Sequence, residues 1–233
     1  MTLTAKWLPV NMYFTVDNDL EVYHNGTLLI PVYTPACAFN SWQAVKYYHA
    51  DLKTGDVVAV KGIDLGVVAG FIGEIRLNNI TLPTQANSLW RQSEVEQTEW
   101  NTKNFIMNET WGSVTNKTYA SWDNQLIGAP DDFYATWVWS ENNVYGDNEQ
   151  NVNFFRYVIG GYPVVTFDSN GGNAIAAVTV PAGTSFTSNE VNMPVPTKAG
   201  CNFTNWLIEN TTIPFVASTI IDNSIKVIAQ YTL

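Results

Sequence analysis

Charge is scarce in this sequence. Lys and Arg number 11 and Asp and Glu 21 among 233 residues, so 14% of the chain is charged and the formal net charge is −10. So few cations, with no basic patch, argue against binding a phosphate backbone. Cysteine is nearly absent: Cys37 and Cys201 stand far apart, which excludes a disulfide framework and leaves a single bridge at most. Two histidines, His24 and His49, are too few and too scattered for a metal cluster. No apolar run approaches the ~20 residues of a membrane span. The opening residues, MTLTAKWLPV, show no basic segment followed by an apolar run and a cleavage site, so no signal peptide is visible. There is no Gly-x-Ser-x-Gly elbow, P-loop or dinucleotide fingerprint, and the reading is of a protein that is not an enzyme.

What is present is apolar and β-prone. Hydrophobic residues make up 46% of the chain, enough to bury a core in one large or two modest domains. Polarity comes from Asn, Thr, Ser and Gln in place of charge, a composition that suits an outward-facing β protein. Residues 57–63 read as a short buried strand after the turn at Gly55-Asp56. From Phe71 the chain alternates: Phe71, Gly73, Ile75 and Leu77 face one way and Ile72, Glu74 and Arg76 the other, the period of a half-buried strand. Residues 20–30 form a hairpin pattern with Asn25-Gly26 at its turn, and His24 beside that turn reads as a surface residue. Residues 3–7 and 13–16 are β-prone, with Pro9 ending the first, and residues 42–49 fit a strand or a helical turn. Residues 78–130 are loop-rich, a pattern often met in functional loops. Strand signals return at 133–139 and 152–159, with a polar loop between them. Gly160-Gly161 and Pro163 mark a boundary. The expected fold class is all-β, with domains at residues 1–160 and 163–233.

The acidic pairs Asp17 with Asp19 and Asp131 with Asp132 are neighbours in sequence. They do not by themselves supply two carboxylates opposed across a cleft, which glycoside hydrolysis requires, so no catalytic residue is assigned. Asp131-Asp132 reads as a solvated turn after Pro130. Asp17, Asn18, Asp19 and Glu21 offer oxygen ligands that calcium accepts, but not at the spacing of an EF-hand loop; no other cofactor is expected. The loop-rich stretch carries Trp90, Trp100, Trp111 and Trp122 among Asn and Thr. Sugars present C–H faces to such rings and hydroxyls to amides and acids. Trp100, Trp111, Trp122 and Asp131 are therefore the candidate ligand-binding residues, although rings of this kind also serve sandwich cores and protein interfaces. Sequons occur at Asn25, Asn79, Asn108, Asn116, Asn202 and Asn210, glycan acceptors if the protein passes through a glycosylating secretory route.

The segments VTFDSNGG (165–172), PVPTKAGCNFTNW (194–206) and VIAQY (227–231) resemble the internalin-type B-repeat, also called the Listeria–Bacteroides repeat. Cys201 stands where that family usually has an aromatic, and Asn205 where it has Gly. The resemblance implies a small β-grasp-like module that acts as a spacer or adhesive repeat on surface proteins. Phe203 and Trp206 would anchor its core, and Cys201 would be a packed thiol. Residues 3–7, LTAKW, resemble the last strand of such a repeat, which would make the chain part of a tandem array.

Residues 1–160 resemble a galactose-binding-like jelly-roll β-sandwich. The segments are VDN with EVYHNG (16–18, 21–26), LKTGDVVAVKG (52–62), AGFIGEI (69–75), and ATWVW with VNFFR (135–139, 152–156). The Trp-x-Trp element follows the Asn-Gly hairpin here, whereas many relatives have it first. Together the two resemblances imply a recognition or adhesion module on an extracellular surface, and the lack of a visible signal peptide adds a virion as the other place. Its partners would be glycans or neighbouring surface or capsid proteins, with oligomers or larger arrays as possible assemblies. The alternative is a structural virion protein, a capsid decoration or fibre subunit.

Overall fold

The computed structural model describes residues 8–36, 41–77, 80–105, 107–119, 122, 125–140, 151–189 and 191–233. The strand expected at residues 3–7 lies outside them, as do Cys37 and Asn79. The chain divides into two compact units, residues 1–157 and 158–233. All of the extended secondary structure is β, with short 3-10 turns at Ser41–Gln43 and Thr187–Asn189.

The first unit begins with β1 (Leu8–Asp17), β2 (Asp19–His24), β3 (Thr27–Leu29) and β4 (Lys46–Leu52). It continues through β5 (Val57–Asp64), β6 (Gly70–Leu77), β7 (Ile80–Pro83) and β8 (Arg91–Ser93). It closes with β9 (Gly112–Ser113), β10 (Thr115–Asn116), β11 (Val138–Trp139) and β12 (Asn151–Val158). One sheet runs β10-β11-β6-β1-β4 with β7 also beside β6, and the other runs β3-β2-β5-β12-β8-β9.

Inward side chains join the two sheets into a sandwich. Val10, Met12, Phe14 and Val16 line the inner side of β1, all fully buried. The Phe71 ring of the first sheet lies 4.6 Å from the Phe155 ring of the second. Trp139 and Phe155 approach to 5.4 Å, and Trp90 meets both Phe14 and Phe71 edge-on. Such tilted and edge contacts are the preferred geometry of aromatic cores.

The hairpin forms as the turn chemistry dictates, with Asn25 and Gly26 at φ 49° and 84° between β2 and β3. Three expectations need correction, and one left open resolves into both of its alternatives. Pro9 does not end a strand; it is the second residue of β1, where a missing N–H is tolerated at a strand's beginning. Residues 42–49 hold both a 3-10 turn and the beginning of β4. Of residues 133–139 only Val138 and Trp139 are strand. Finally, β6 is not half-buried: residues 70–75 are covered on both faces, because outward Ile72 and Glu74 lie under later segments of chain.

The second unit is one sheet of β13 (Val164–Asp168), β14 (Val178–Thr179), β15 (Asn202–Ile208), β16 (Pro214–Phe215) and β17 (Ile225–Thr232). Their order is β14-β13-β17-β15-β16. The unit's first and last long strands, β13 and β17, are parallel neighbours, and the remaining pairs are antiparallel, a β-grasp-like arrangement. Val165, Phe167, Phe186, Trp206, Phe215 and Val227 form its core. Phe203 packs against this core with its ring 5.4 Å from Trp206.

Candidate functional site

The candidate tryptophans lie in two separate ring clusters, and both are structural in their surroundings. Trp100 and Trp111 are 5% and 8% exposed. They belong to two stretches, residues 94–105 and 107–111, that lie on the outer face of the second sheet. Trp100 sits edge-on to Tyr23 of β2 and Phe154 of β12, and Trp111 lies between Trp100 and Phe105. Arg156 donates to the Thr102 carbonyl at 3.0 Å and stands over the Phe105 ring. Lys103 reaches Asp56, a carboxylate 1% exposed that also accepts from Asn25 and from the Lys53 N–H and pairs with His24. Those donors hold the Asp56 pKa below the ordinary carboxylate value even though burial pushes it up. His24 is therefore a half-buried partner of Asp56 and not a free surface residue.

Trp122 belongs to a different cluster. It stacks on Trp42 at 4.6 Å with the planes 14° apart, and Trp137 and Tyr119 close around it. This cluster roofs Ile72 at one end of the first sheet's outer face, where Thr15 donates to the Trp42 carbonyl. Asp131 is exposed in a turn after Pro130 and is not brought to either ring cluster.

The acidic residues also diverge. Asp17 is buried, and desolvation with the charge of Asp64 raises its pKa to about 7. Asp19 is exposed and pairs with Lys46, Asn18 accepts from the Leu65 N–H, and Glu21 accepts from the Tyr23 hydroxyl. The proposed calcium ligands thus have separate partners. Among the described residues no group of three or more His, Cys, Asp or Glu converges to hold a metal.

Beyond the tryptophan roof, the outer face of the first sheet is open. Tyr33, Tyr47 and Tyr13 are cross-strand partners in one row, Tyr33 bridging to Tyr47 and Tyr47 pairing with Tyr13. The Tyr13 and Tyr47 rings stack at 5.3 Å. Arg76 stands over the Tyr13 ring, held by Glu74 and by Asp132 at 2.8 Å. One turn of the pleat away, Asn11 Oδ1 accepts from the Tyr47 hydroxyl at 2.9 Å and lies 3.2 Å from His49 Nδ1. Tyr33 is 55% exposed, and Tyr13 and Tyr47 are half-buried. The arrangement offers ring surface, phenol hydroxyls, an amide and an ion pair on a rigid sheet. Sequence reading passed over these tyrosines. Outward alternation at 11–15 and 45–51 hinted at them, but only strand pairing aligns them.

In the second unit the three quoted segments close on one another. Trp206 Nε1 donates to the Pro194 carbonyl at 2.9 Å, and the Tyr231 hydroxyl donates to the Ser169 carbonyl at 2.8 Å. Gly172 lies so close beneath them that a Cβ there would come within 2.5 Å of the Tyr231 hydroxyl and 2.7 Å of the Thr197 carbonyl. Residues 164–230 match the Listeria–Bacteroides repeat domain. Neither a curated protein nor a solved structure matches the chain. The repeat points to a surface-type repeat module. Cys201, where an aromatic was expected, is a half-buried free thiol in it. Among the sequons, Asn108, Asn116, Asn202 and Asn210 are exposed. Asn25 is half-buried, with its side chain bonded to Asp56 and to the Val57 N–H.

Proposed function

We propose that this chain is a non-enzymatic recognition module of an extracellular or virion surface, with the sandwich binding carbohydrate and the repeat serving as a spacer. The tyrosine row of the first sheet carries this reading. Tyr33, Tyr47 and Tyr13 stand on successive positions across the strands, about 4.8 Å apart in the pairing direction. A flat, partly apolar ligand with hydroxyls at its rim satisfies the rings and the flanking Asn11, His49 and Arg76 together. The carboxylates support the non-catalytic half. Glu74 is tied to Arg76 and Asp56 to Lys103.

The test is affinity electrophoresis and titration calorimetry against neutral soluble polysaccharides, comparing the native chain with Tyr47→Ala and Tyr13→Ala. Retarded migration of the native chain, with affinity reduced about tenfold in either variant, equivalent to ~1.4 kcal/mol, is the expected result. No retardation on any polysaccharide removes the reading.

One observation favours the alternative, a structural role through protein contacts. Leu28, Ile30, Val32 and Tyr33 are 50–77% exposed on the stretch from β3 toward β4. Consecutive apolar exposure at a sheet edge is a docking feature. Light scattering of the native chain beside Ile30→Glu with Val32→Glu separates the two: concentration-dependent assembly lost in the double variant supports the structural reading.

A further inference from the structure

The inner layer of the sandwich is incomplete at one corner. Antiparallel partners point to the same side of a sheet. Phe155 points inward and is opposite Gln92, which is opposite Gly112, so the inward row reads aromatic, amide, and then no side chain. At this place the chain leaves the second sheet in β9, turns at the buried Val114, and enters the first sheet as β10. The result is a cleft of about 540 Å³ lined by Ala86, Asn87, Gln92, Gly112, Ser113, Val114 and Thr115. Its size falls within the roughly 300–1,000 Å³ of small-molecule pockets.

Among the described residues the lining contains neither rings nor charges. Amides of Asn87 and Gln92, hydroxyls of Ser113 and Thr115, and backbone groups make its polar surface. Gln92 Oε1 is buried and takes no hydrogen bond from the described residues. A buried amide oxygen without a donor is destabilising, and a ligand hydroxyl that met it as the Gln92 side chain turned toward the cleft would recover that loss. An ionic ligand would find no counter-charge among the lining residues, and the chain's net charge of −10 opposes anions further. A purely apolar ligand would leave the amides unpaired.

We infer that this corner cleft is a second binding site, specific for one neutral, hydroxyl-rich unit such as an uncharged monosaccharide at the end of a glycan. The inference rests on the carbohydrate reading for the class of ligand, but not on the tyrosine face, from which it differs in lining and place. An open face suits an extended chain, and a cleft closed by one sheet-to-sheet crossing suits a terminal residue.

Gly112 supplies a clean test. A Cβ built there meets nothing within 4 Å, and its backbone is not in the left-handed region, so a side chain enters the cleft without displacing the strand. Ligand-observed NMR is run with glucose, galactose, mannose and N-acetylglucosamine, and with galacturonate as the charged control. The probes are read against the native chain, Gly112→Leu, Gln92→Ala and Tyr47→Ala, with thermal unfolding as a check of folding. The expected result is a saturation-transfer signal for at least one neutral sugar and none for galacturonate. That signal is abolished in Gly112→Leu, weakened at least threefold in Gln92→Ala and kept in Tyr47→Ala. A signal that survives Gly112→Leu but disappears in Tyr47→Ala overturns the cleft and leaves the proposed function standing. If Gly112→Leu does not fold, an unchanged signal in Gln92→Ala overturns the cleft by itself. Absence of any monosaccharide signal from the native chain also overturns it, while polysaccharide retardation continues to judge the tyrosine face separately.

Discussion

On the outer face of the second sheet, residues 94–105 lie across the strands from Tyr23 to Arg156. On the first sheet the roof of Trp42, Trp122 and Trp137 covers one end, and Tyr13 and Tyr47 stand outside it. Both faces are rich in rings, yet the rings differ in kind and in task. The buried indoles close the fold over β6 and β12. The half-buried phenols Tyr13 and Tyr47 stand outside the roof, where the Tyr47 hydroxyl donates to Asn11. Aromatic content alone therefore does not separate open rings from structural ones in this chain; the side of the roof on which a ring falls does.

The comparison can be broken most forcefully at Trp100. Trp100→Ala should cost about 3–5 kcal/mol, read as the shift in urea unfolding, because the indole holds residues 94–105 onto the sheet. A loss of less than 1 kcal/mol by the same measurement would make that segment a loose flap and Trp100 available for contact. Next comes Asp56→Ala, which strips partners from Lys103, Asn25 and the Lys53 N–H. It should cost about 1–3 kcal/mol at pH 7. The depressed pKa of Asp56 means that this stability is present above the ordinary carboxylate pKa and is lost as pH falls through the lower native value. The native chain and Asp56→Ala should accordingly converge in strong acid.

Asp17 has the opposite sign. Its native pKa, raised from 3.8 to about 7, means that the folded state holds a proton which the unfolded chain releases in that interval. Its contribution is greatest below pH 4 and declines as pH rises to about 7. Asp17→Asn should raise the unfolding midpoint at pH 8 and leave it nearly unchanged at pH 4. Equal effects at the two pH values would show that burial under the tryptophan roof does not govern this carboxylate. The smallest effect on stability is expected at Tyr47. Removing a half-buried ring outside the roof should cost about 1 kcal/mol or less, since no core is opened. A loss as large as that of Trp100→Ala would assign Tyr47 to the scaffold and erase the distinction between the faces.

Much of the frame was legible before any coordinates. Asn25-Gly26 dictated its turn, the apolar run 57–63 its buried strand, and the segments 165–172, 194–206 and 227–231 the small second unit. These are local signals, each set within a few residues or by a specific pattern. The placement of Trp100, Trp111 and Trp122 was not legible. A tryptophan among Asn and Thr reads the same whether it roofs a sheet or faces solvent, and only Tyr23, Phe154 and Trp42, remote in sequence, decide. For the same reason the open tyrosines were missed, since Tyr13 and Tyr47 meet through strand register and not through spacing. The run at 133–137 misled by its ring content. Its backbone spends its bonds on isolated contacts, Thr136 to Thr84 and Lys117 to Trp137, and builds no ladder.

The parallel pairing of β13 with β17 has a mechanical corollary. The chain enters the repeat at the head of one strand and leaves at the tail of its neighbour, so tension applied through those two ends slides the strands lengthwise past each other. The bonds between Val165 and Ile225 and those through Asp168 and Ile228 would then bear the load together and not open one at a time. A link of this construction yields late under pulling.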